Sequence, residues 1–483
     1  MITNLFLQAV TRFVKERIET LTQEMAETLD FASFEQELDE LMRGVCTVIS
    51  AIKLTELLAS PEFLEKLKQL GARKGMRFKE YRTVTVYFAT GKTAPIPTPY
   101  FIKAKPKRGR KKRGPNGRGT HLGLDVLGLI GRGSPVFVSE VVKMAVLCPS
   151  LEIAREMFAG RSIQIDISTI RRFCRQLAEK GIRFRGQVSL DGHEDLKGFT
   201  VVIGVDGGRL RERCPKRGRK KKEQKRQGYK GEWREPKLFT IYLLDKQGKT
   251  VKSFSPLHDA TMGDHQEMFI LLERYLSALP LADAARLVFC GDGAPWIWSD
   301  VEDMCRRMGL SETCSVYQVL DYIHAQQNLQ DIIDLVAKRV QKKEKITEKW
   351  QKLLWSGDIQ GIRQEISRLL TGKKQEKALK KWQDYFERNE KRMQYKAFKT
   401  AFIPCGSGCV ESAIRRIINL RLKSAGTFWK RDMAEYFLFL RSQLLSGRWL
   451  IFLRNVIRQQ ARALLNLHDC QDVELFQPAF SDA

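Results

Sequence analysis

Apolar positions recur along this chain with two different periods, and the changes of period divide it into regions. From residue 1 to about 71 the spacing is helical. Phe34, Leu38, Leu41 and Val45 fall at i, i+4, i+7 and i+11 on one face. The opening "MITNLFLQAVTRFVKERIE" reads as an amphipathic helix, and "ASPEFLEKLKQLG" starts a new one at Ser60–Pro61 and stops at Gly71. The β-formers Thr83, Val84, Thr85, Val86 and Tyr87 then lead to the turn "ATGK", which predicts a hairpin. Pro95, Pro97 and Pro99 cannot donate to a ladder, so the second strand is an edge.

Two helices are predicted next. "SLEIAREMFAG" has Ser150 as N-cap and Gly160 as a stop; "STIRRFCRQLAEKG" has Ser168 as N-cap and Gly181 just past its end. In the second, Ile170, Phe173, Cys174 and Leu177 share one face, and Arg171, Arg172 and Arg175 share the other. This is the pattern of a helix-turn-helix whose second helix reads DNA, or of an ordinary helix pair with a solvated basic face.

From residue 199 short apolar runs alternate with helical segments. "FTVVIGVDGG", "KLFTIYLLDKQGK", "TVKSFSPLHDAT", "ARLVFCGDGAPW" and the start of "CSVYQVLDYIHAQQNL" are strands; "DHQEMFILLERYLSALP" and "WSDVEDMCRRMGL" are helices. Such alternation predicts a mixed α/β sheet with covered faces. Residues about 325 to 400 return to helical spacing, and an apolar helix follows at about 432 to 446.

Charge narrows the function. The chain carries a net +28 over 483 residues, with a sequence pI near 9.7. Such an excess calls for a polyanionic partner, and no apolar run is long enough to favour a membrane. No secretory signal is read at the start, and the cysteines form no C-x-x-C pair, so a reducing cytoplasm without structural zinc is expected. Two runs concentrate the charge. One, "KPKRGRKKRG", contains Lys107, Arg108, Arg110, Lys111, Lys112 and Arg113; the other, between the first two core strands, contains Arg217, Arg219, Lys220 and Lys221. Both read as basic loops that touch DNA phosphates, or as solvated loops.

Carboxylates carry the candidate chemistry. Asp206 and Asp292 each end a buried strand and precede glycine, where ligands of α/β sheets bind and where backbone approach is unhindered. Two such acids at neighbouring strand ends could share Mg²⁺, although Asp-Gly is also a common turn. "GSGCVESAIRRIINLRLKSAGTFW" adds one acid, Glu411, among Arg415, Arg416, Arg421 and Lys423. Val410, Ile414, Ile417 and Ile418 form its buried stripe, with Glu411 at the border, facing a sheet edge. A surface salt bridge to Arg415 is the simpler reading; a two-metal site with bases around it for DNA phosphates is the other. His324, one turn after Asp321, is a helix-start histidine or a donor to a scissile phosphate or carboxylate. Trp296 and Trp298 read as core, or Trp296 as a surface for an unpaired base.

The ordered motifs "VDGGRLRER", "WREPKLFTIYLLD", "GDGAPWIW", "VLDYIHAQQNL" and "GSGCVESAIRRIINLRLKSAGTFW…LRSQLLSGRW", spanning roughly residues 200 to 449, resemble the Kra-type group of bacterial insertion-sequence DDE transposases. The resemblance implies an RNase H-like core with Asp206, Asp292 and Glu411 as the triad, and a helical insertion that separates the glutamate from the second aspartate. It implies two Mg²⁺ or Mn²⁺ ions per site, double-stranded transposon-end and target DNA as partners, a homodimer or higher in the DNA complex, and a nucleoid-associated cytoplasmic location; no P-loop is visible, so ATP is not implied. A structure-selective nuclease on the same core, or a catalytically inactive DNA-binding derivative, is the alternative. The expected organisation is a helical region with a β-hairpin (1–102), a basic linker (103–120), a helix-turn-helix-like region (121–195), the core (196–328 and 401–447) interrupted by the helical insertion (329–400), and a helical tail (448–483).

Overall fold

The computed structural model describes residues 2–104, 119–186, 195–216, 218, 228–336 and 340–465, and these form two compact units. The first comprises Met1–Gly181 with Leu450–Ala483, the second Ile182–Trp449.

In the first unit, helices α1 (Ile2–Thr28), α2 (Phe31–Ala59) and α3 (Pro61–Arg73) precede strands β1 (Met76–Tyr87) and β2 (Thr93–Lys103). Phe34, Leu38, Leu41 and Val45 are all half-buried along α2, as their spacing predicts. Gly71 does not end α3. It lies inside the helix, where the Phe101 ring would meet an added Cβ at 2.9 Å, and the helix runs on to Arg73. The hairpin turn is closed by the Phe88 N–H on Lys92 O at 3.0 Å, with Gly91 at φ +83°. Pro95, Pro97 and Pro99 pair with Thr85, Thr83 and Tyr81. Their spacing of two turns every missing N–H to the open side of the strand.

Four helices follow: α4 (Leu122–Val126), α5 (Pro135–Leu147), α6 (Leu151–Ala159) and α7 (Ile167–Gly181). The largely buried α5 was not distinguished in the sequence. On α7 the two predicted faces appear: Ile170, Phe173, Cys174 and Leu177 are buried, while Arg171, Arg172 and Arg175 are exposed. Ser150 caps α6 as expected. Ser168 does not cap α7. Asp166 does, accepting the Thr169 N–H at 2.9 Å and the Thr169 hydroxyl at 2.8 Å. Gly181 is the last residue of the helix and leads directly into a 3₁₀ turn, without a left-handed conformation.

The second unit is a five-stranded mixed sheet flanked by helices. Its strands are β3 (Thr200–Gly207), β6 (Lys237–Leu244), β7 (Leu257–Thr261), β8 (Arg286–Gly291) and β9 (Ser315–Leu320), in the order β7-β6-β3-β8-β9. Strand β6 runs antiparallel to both neighbours; β3, β8 and β9 are parallel. Residues 200–205 are buried throughout, which is why β3 reads as an unbroken apolar run. β7 is shorter than predicted, because only its last five residues join the ladder. The supposed basic loop after β3 is in part a two-stranded hairpin, β4 (Leu210–Pro215) with β5 (Tyr229–Arg234).

Helices α8 (His265–Ser277) and α9 (Pro295–Met308) cover one face of the sheet. A short α10 (Leu310–Thr313) precedes β9, and α11 (Tyr322–Val336) follows it. The helical insertion continues with α12 (Val340–Ser356), α13 (Ile359–Leu369), α14 (Gly372–Lys381), a π-helical segment Trp382–Glu387 and α15 (Tyr395–Thr400). Helix α16 (Gly408–Ile414) passes into a second π segment, Arg415–Asn419, before α17 (Arg431–Leu445). A buried ionic cluster holds α17 on β7: Glu435 accepts the Met262 N–H at 2.6 Å and pairs with Arg185, which also meets Asp259 at 3.1 Å. No helix among the described residues is long and apolar enough to cross a membrane.

Candidate active site

Register fixes the site. Val205 lies opposite Gly291 on β3 and β8, and Gly291 lies opposite Leu320 on β9. The two parallel pairings therefore end level, and Asp206, Asp292 and Asp321 follow them along one carboxyl edge, Asp206 still paired with Leu238 of β6. The neighbouring strand ends expected for Asp206 and Asp292 are thus present, with a third acid beside them. The Asp321 N–H continues the ladder by donating to Gly291 O at 2.8 Å.

Helix α16 brings Glu411 to the same edge. It packs on β3 at Gly204, where an added Cβ would stand 2.9 Å from Val410 Cβ, so glycine sets the helix-to-strand distance. Val410, Ile414, Ile417 and Ile418 are buried as predicted. Glu411 is more open than predicted: it is exposed. It accepts a hydrogen bond from Ser407 Oγ at 3.4 Å, and no ion pair joins it to Arg415 among the described residues.

Asp321 organises the rest. Its Oδ1 accepts the His324 N–H at 2.8 Å and lies 3.1 Å from His324 Nδ1; its Oδ2 accepts the Ser407 hydroxyl at 2.8 Å and the Ser407 N–H. Burial alone would raise its pKa, but the donors from His324 and Ser407 outweigh burial and hold it at about 2. The hydrogen bond to Asp321 in turn raises the pKa of His324.

Asp206 behaves oppositely. Burial, followed by the charges of Asp292 and Glu411, pushes it up to about 6, against the opposing Gly207 N–H and His324. In the structure the Asp206 carboxylate accepts the Gly207 N–H at 2.6 Å, and that of Asp292 accepts the Ala294 N–H at 2.9 Å. Trp298, a core residue as expected, donates from Nε1 to Asp292 O at 3.0 Å. Trp296 is half-buried, with Lys237 Nζ 4.2 Å from its ring centroid. Tyr385, from the first π segment, lies against Gly293, where an added Cβ would meet its ring at 2.1 Å.

Among the described residues one group offers metal-ligand atoms all within 4.8 Å of one another: Asp321, His324 and Glu411. The expected grouping of Asp206, Asp292 and Glu411 is not drawn together at that distance. The sequence marked Asp321 only as a neighbour of His324. Its position at the end of a predicted strand, like that of Asp206 and Asp292, was the available signal. Ser407 had no signal of its own.

Arg415, Arg416 and Lys423 are exposed. Arg421 corrects the prediction: it is only 4% exposed, its guanidinium 5.1 Å from the ring centroids of both Trp429 and Phe437. The helix ends before it, so the chain carries it inward. Lys107, Arg108, Arg110, Lys111, Lys112 and Arg113, with Arg217, Arg219, Lys220 and Lys221, lie outside the described residues.

No protein-family model matches the chain, and no curated protein matches it.

Proposed function

We propose that this protein is an insertion-sequence transposase that cleaves and joins DNA strands by the DDE two-metal route. The observation that carries the reading is the register of β3 with β8, in which Asp206 and Asp292 each follow the last pair, Val205 with Gly291, while the helix bearing Glu411 packs on Gly204 of β3. The strand order β7-β6-β3-β8-β9 with a single antiparallel strand agrees with an RNase H-like core, and the helices between β9 and α16 agree with the insertion that the motif resemblance implies.

The donor set suits hard divalent cations. Carboxylate oxygens predominate, and a cation would offset the burial that chiefly raises the pKa of Asp206 and the charges of Asp292 and Glu411 that add to it. Asp206, Asp292 and Glu411 would hold Mg²⁺ or Mn²⁺. When bound, two such ions supply the activation of water or a DNA 3′-hydroxyl and the stabilisation of the leaving oxygen. Asp321 already accepts from His324 and Ser407, so it serves to position them. His324, held through Nδ1, is left with Nε2 to donate to a phosphate oxygen, and its raised pKa favours the protonated, donating form. The exposed Arg415, Arg416 and Lys423 hold phosphates of the DNA backbone.

The test is cleavage and joining of a DNA end in Mg²⁺ by Asp206→Asn, Asp292→Asn and Glu411→Gln. Each should lose cutting by orders of magnitude while binding DNA as the parent does. Near-parental cutting by any one removes that residue from the set. Cut products without joined products would indicate a nuclease. Short inverted repeats bracketing the gene would identify the element.

A further inference from the structure

The β4–β5 hairpin carries a face that strand cleavage does not use. Its register pairs Arg211 with Trp233, Arg213 with Gly231 and Pro215 with Tyr229, so these side chains share one side. Phe428 enters this face from the segment before α17. Its ring occupies the place of a Gly231 side chain, 2.4 Å from where a Cβ would stand, which is why glycine is required there. Guanidinium groups and rings then alternate. Arg213 Cζ lies 4.0 Å from the Tyr229 centroid, Tyr229 meets Phe428 edge-on at 5.4 Å, and Arg211 Cζ lies 4.6 Å from Phe428 and 5.5 Å from Trp233. The row ends in an indole that is 58% exposed.

This face is held in place. The Arg213 N–H donates to Trp429 O at 2.7 Å, and the Trp429 N–H donates to Arg211 O at 2.9 Å. Trp429 is itself buried and donates from its indole to Leu422 O at 3.1 Å. An exposed tryptophan beside Arg211, on a strand pair tied to the Trp429 segment, is not explained by burial in the core. A flat π-surface attached to a phosphate suits it: the base stacks on the indole and the phosphate meets a guanidinium. The net charge of +28 favours such a polyanion. Strand β4 begins four residues after Asp206, so the platform continues from the acid edge.

We propose that Trp233, with Arg211, is a stacking platform for an unpaired base of the DNA strand held at the acid edge. The proposal rests on the DNA-processing reading above, and its test does not use cleavage. Affinities of the full-length protein are measured at one salt concentration for an oligothymidine strand and for a duplex of equal length. Trp233→Ala should weaken strand binding by about tenfold or more, within the range expected for one lost stack. Duplex affinity should change by less than about twofold, and the salt slope should stay the same, because no phosphate contact is removed. Trp233→Phe, which keeps a ring, should recover most of the loss. Equal loss on both polymers, or no loss, overturns the platform. A fall in oligomeric state on sedimentation with unchanged strand affinity also overturns it and makes this face a contact between copies of the chain. If the parent protein binds neither polymer, the DNA-processing reading falls and the platform with it; if it binds both and ignores Trp233, only the platform falls.

Discussion

Asp321 Oδ2 accepts the Ser407 hydroxyl at 2.8 Å, tying the end of β9 to the residue that precedes the glutamate helix. The same carboxylate holds His324 through Oδ1. One buried acid therefore sets the positions of the histidine and of the helix that carries Glu411.

Removing that acid should disturb both. Asp321→Ala leaves the buried Ser407 N–H and hydroxyl without their acceptor, and a charge-assisted hydrogen bond of this kind contributes about 1.5–3 kcal/mol. The denaturation midpoint should fall accordingly. Cutting should fall more for Asp321→Ala than for Asp321→Asn, because asparagine keeps one acceptor oxygen for the pair. Equal activities for the two variants and the parent, with an unchanged midpoint, would show that Asp321 positions nothing.

Asp206 makes cation binding depend on pH. Its pKa is raised to about 6 in the folded chain, from an ordinary 3.8, by burial and by Asp292 and Glu411. A cation must displace that proton. Mn²⁺ affinity should therefore rise with pH up to about 6 and level off above it. In metal-free protein the sign is also fixed: the folded state binds the extra proton, so this contribution to stability is complete below pH 3.8 and is lost as pH rises through about 6. Calorimetric titration of Mn²⁺ at several pH values checks the break, which Asp206→Asn should abolish. A flat affinity between pH 5 and 7 in the parent would exclude Asp206 as a ligand.

The sequence revealed the strand ends more readily than the groups that brace them. Asp206 and Asp292 are visible because fully buried strands read as apolar runs, and the acid that stops each run stands out. The role of Asp321 depends on Ser407, which lies 86 residues further along the chain, and no local pattern encodes such a pairing. The β4–β5 hairpin was hidden because Arg211, Glu212, Arg213 and Glu232 mask the alternation expected of strands. Arg421 was misplaced because the helix was extended at an even pitch through Lys423. A π segment begins at Arg415 and the helix ends at Asn419, so 3.6-residue periodicity no longer predicts which way a side chain points. The cap of α7 was misassigned within one short stretch, where Asp166 and Ser168 both have capping side chains and the aspartate takes the Thr169 N–H.

His258 gives a pH response away from the acid edge. It lies on β7, 3% exposed, with Nδ1 lacking a hydrogen-bond partner. Burial, then the charges of Arg416 and Arg448, lowers its pKa from 6.5 to about 3. The unfolded chain binds the proton first, so stability is complete above pH 6.5 and is lost as pH falls toward 3, by on the order of a few kcal/mol in all. Unfolding free energies at pH 7 and pH 5 should differ less in His258→Leu than in the parent. The same difference in both would show that acid sensitivity arises elsewhere.

The arginines of α7 separate reading from packing. Arg171, Arg172 and Arg175 are exposed on the face opposite the buried Ile170, Phe173 and Leu177, and Arg175 has only a long 3.8 Å approach to Glu179. Such an exposed pair contributes at most about 1 kcal/mol, so the side chain is free to exchange it for a base. If α7 enters a major groove, at least one of the three should meet a guanine edge, worth about 1–3 kcal/mol of discrimination. Its replacement by alanine should then lower the ratio of affinities for element-end DNA and random DNA. An arginine that meets only phosphate lowers both affinities alike. Titrations of the three alanine variants against both DNAs, at one fixed salt concentration, distinguish the cases. A ratio unchanged in all three would assign end recognition to another element, with the hairpin β1–β2 the next to test.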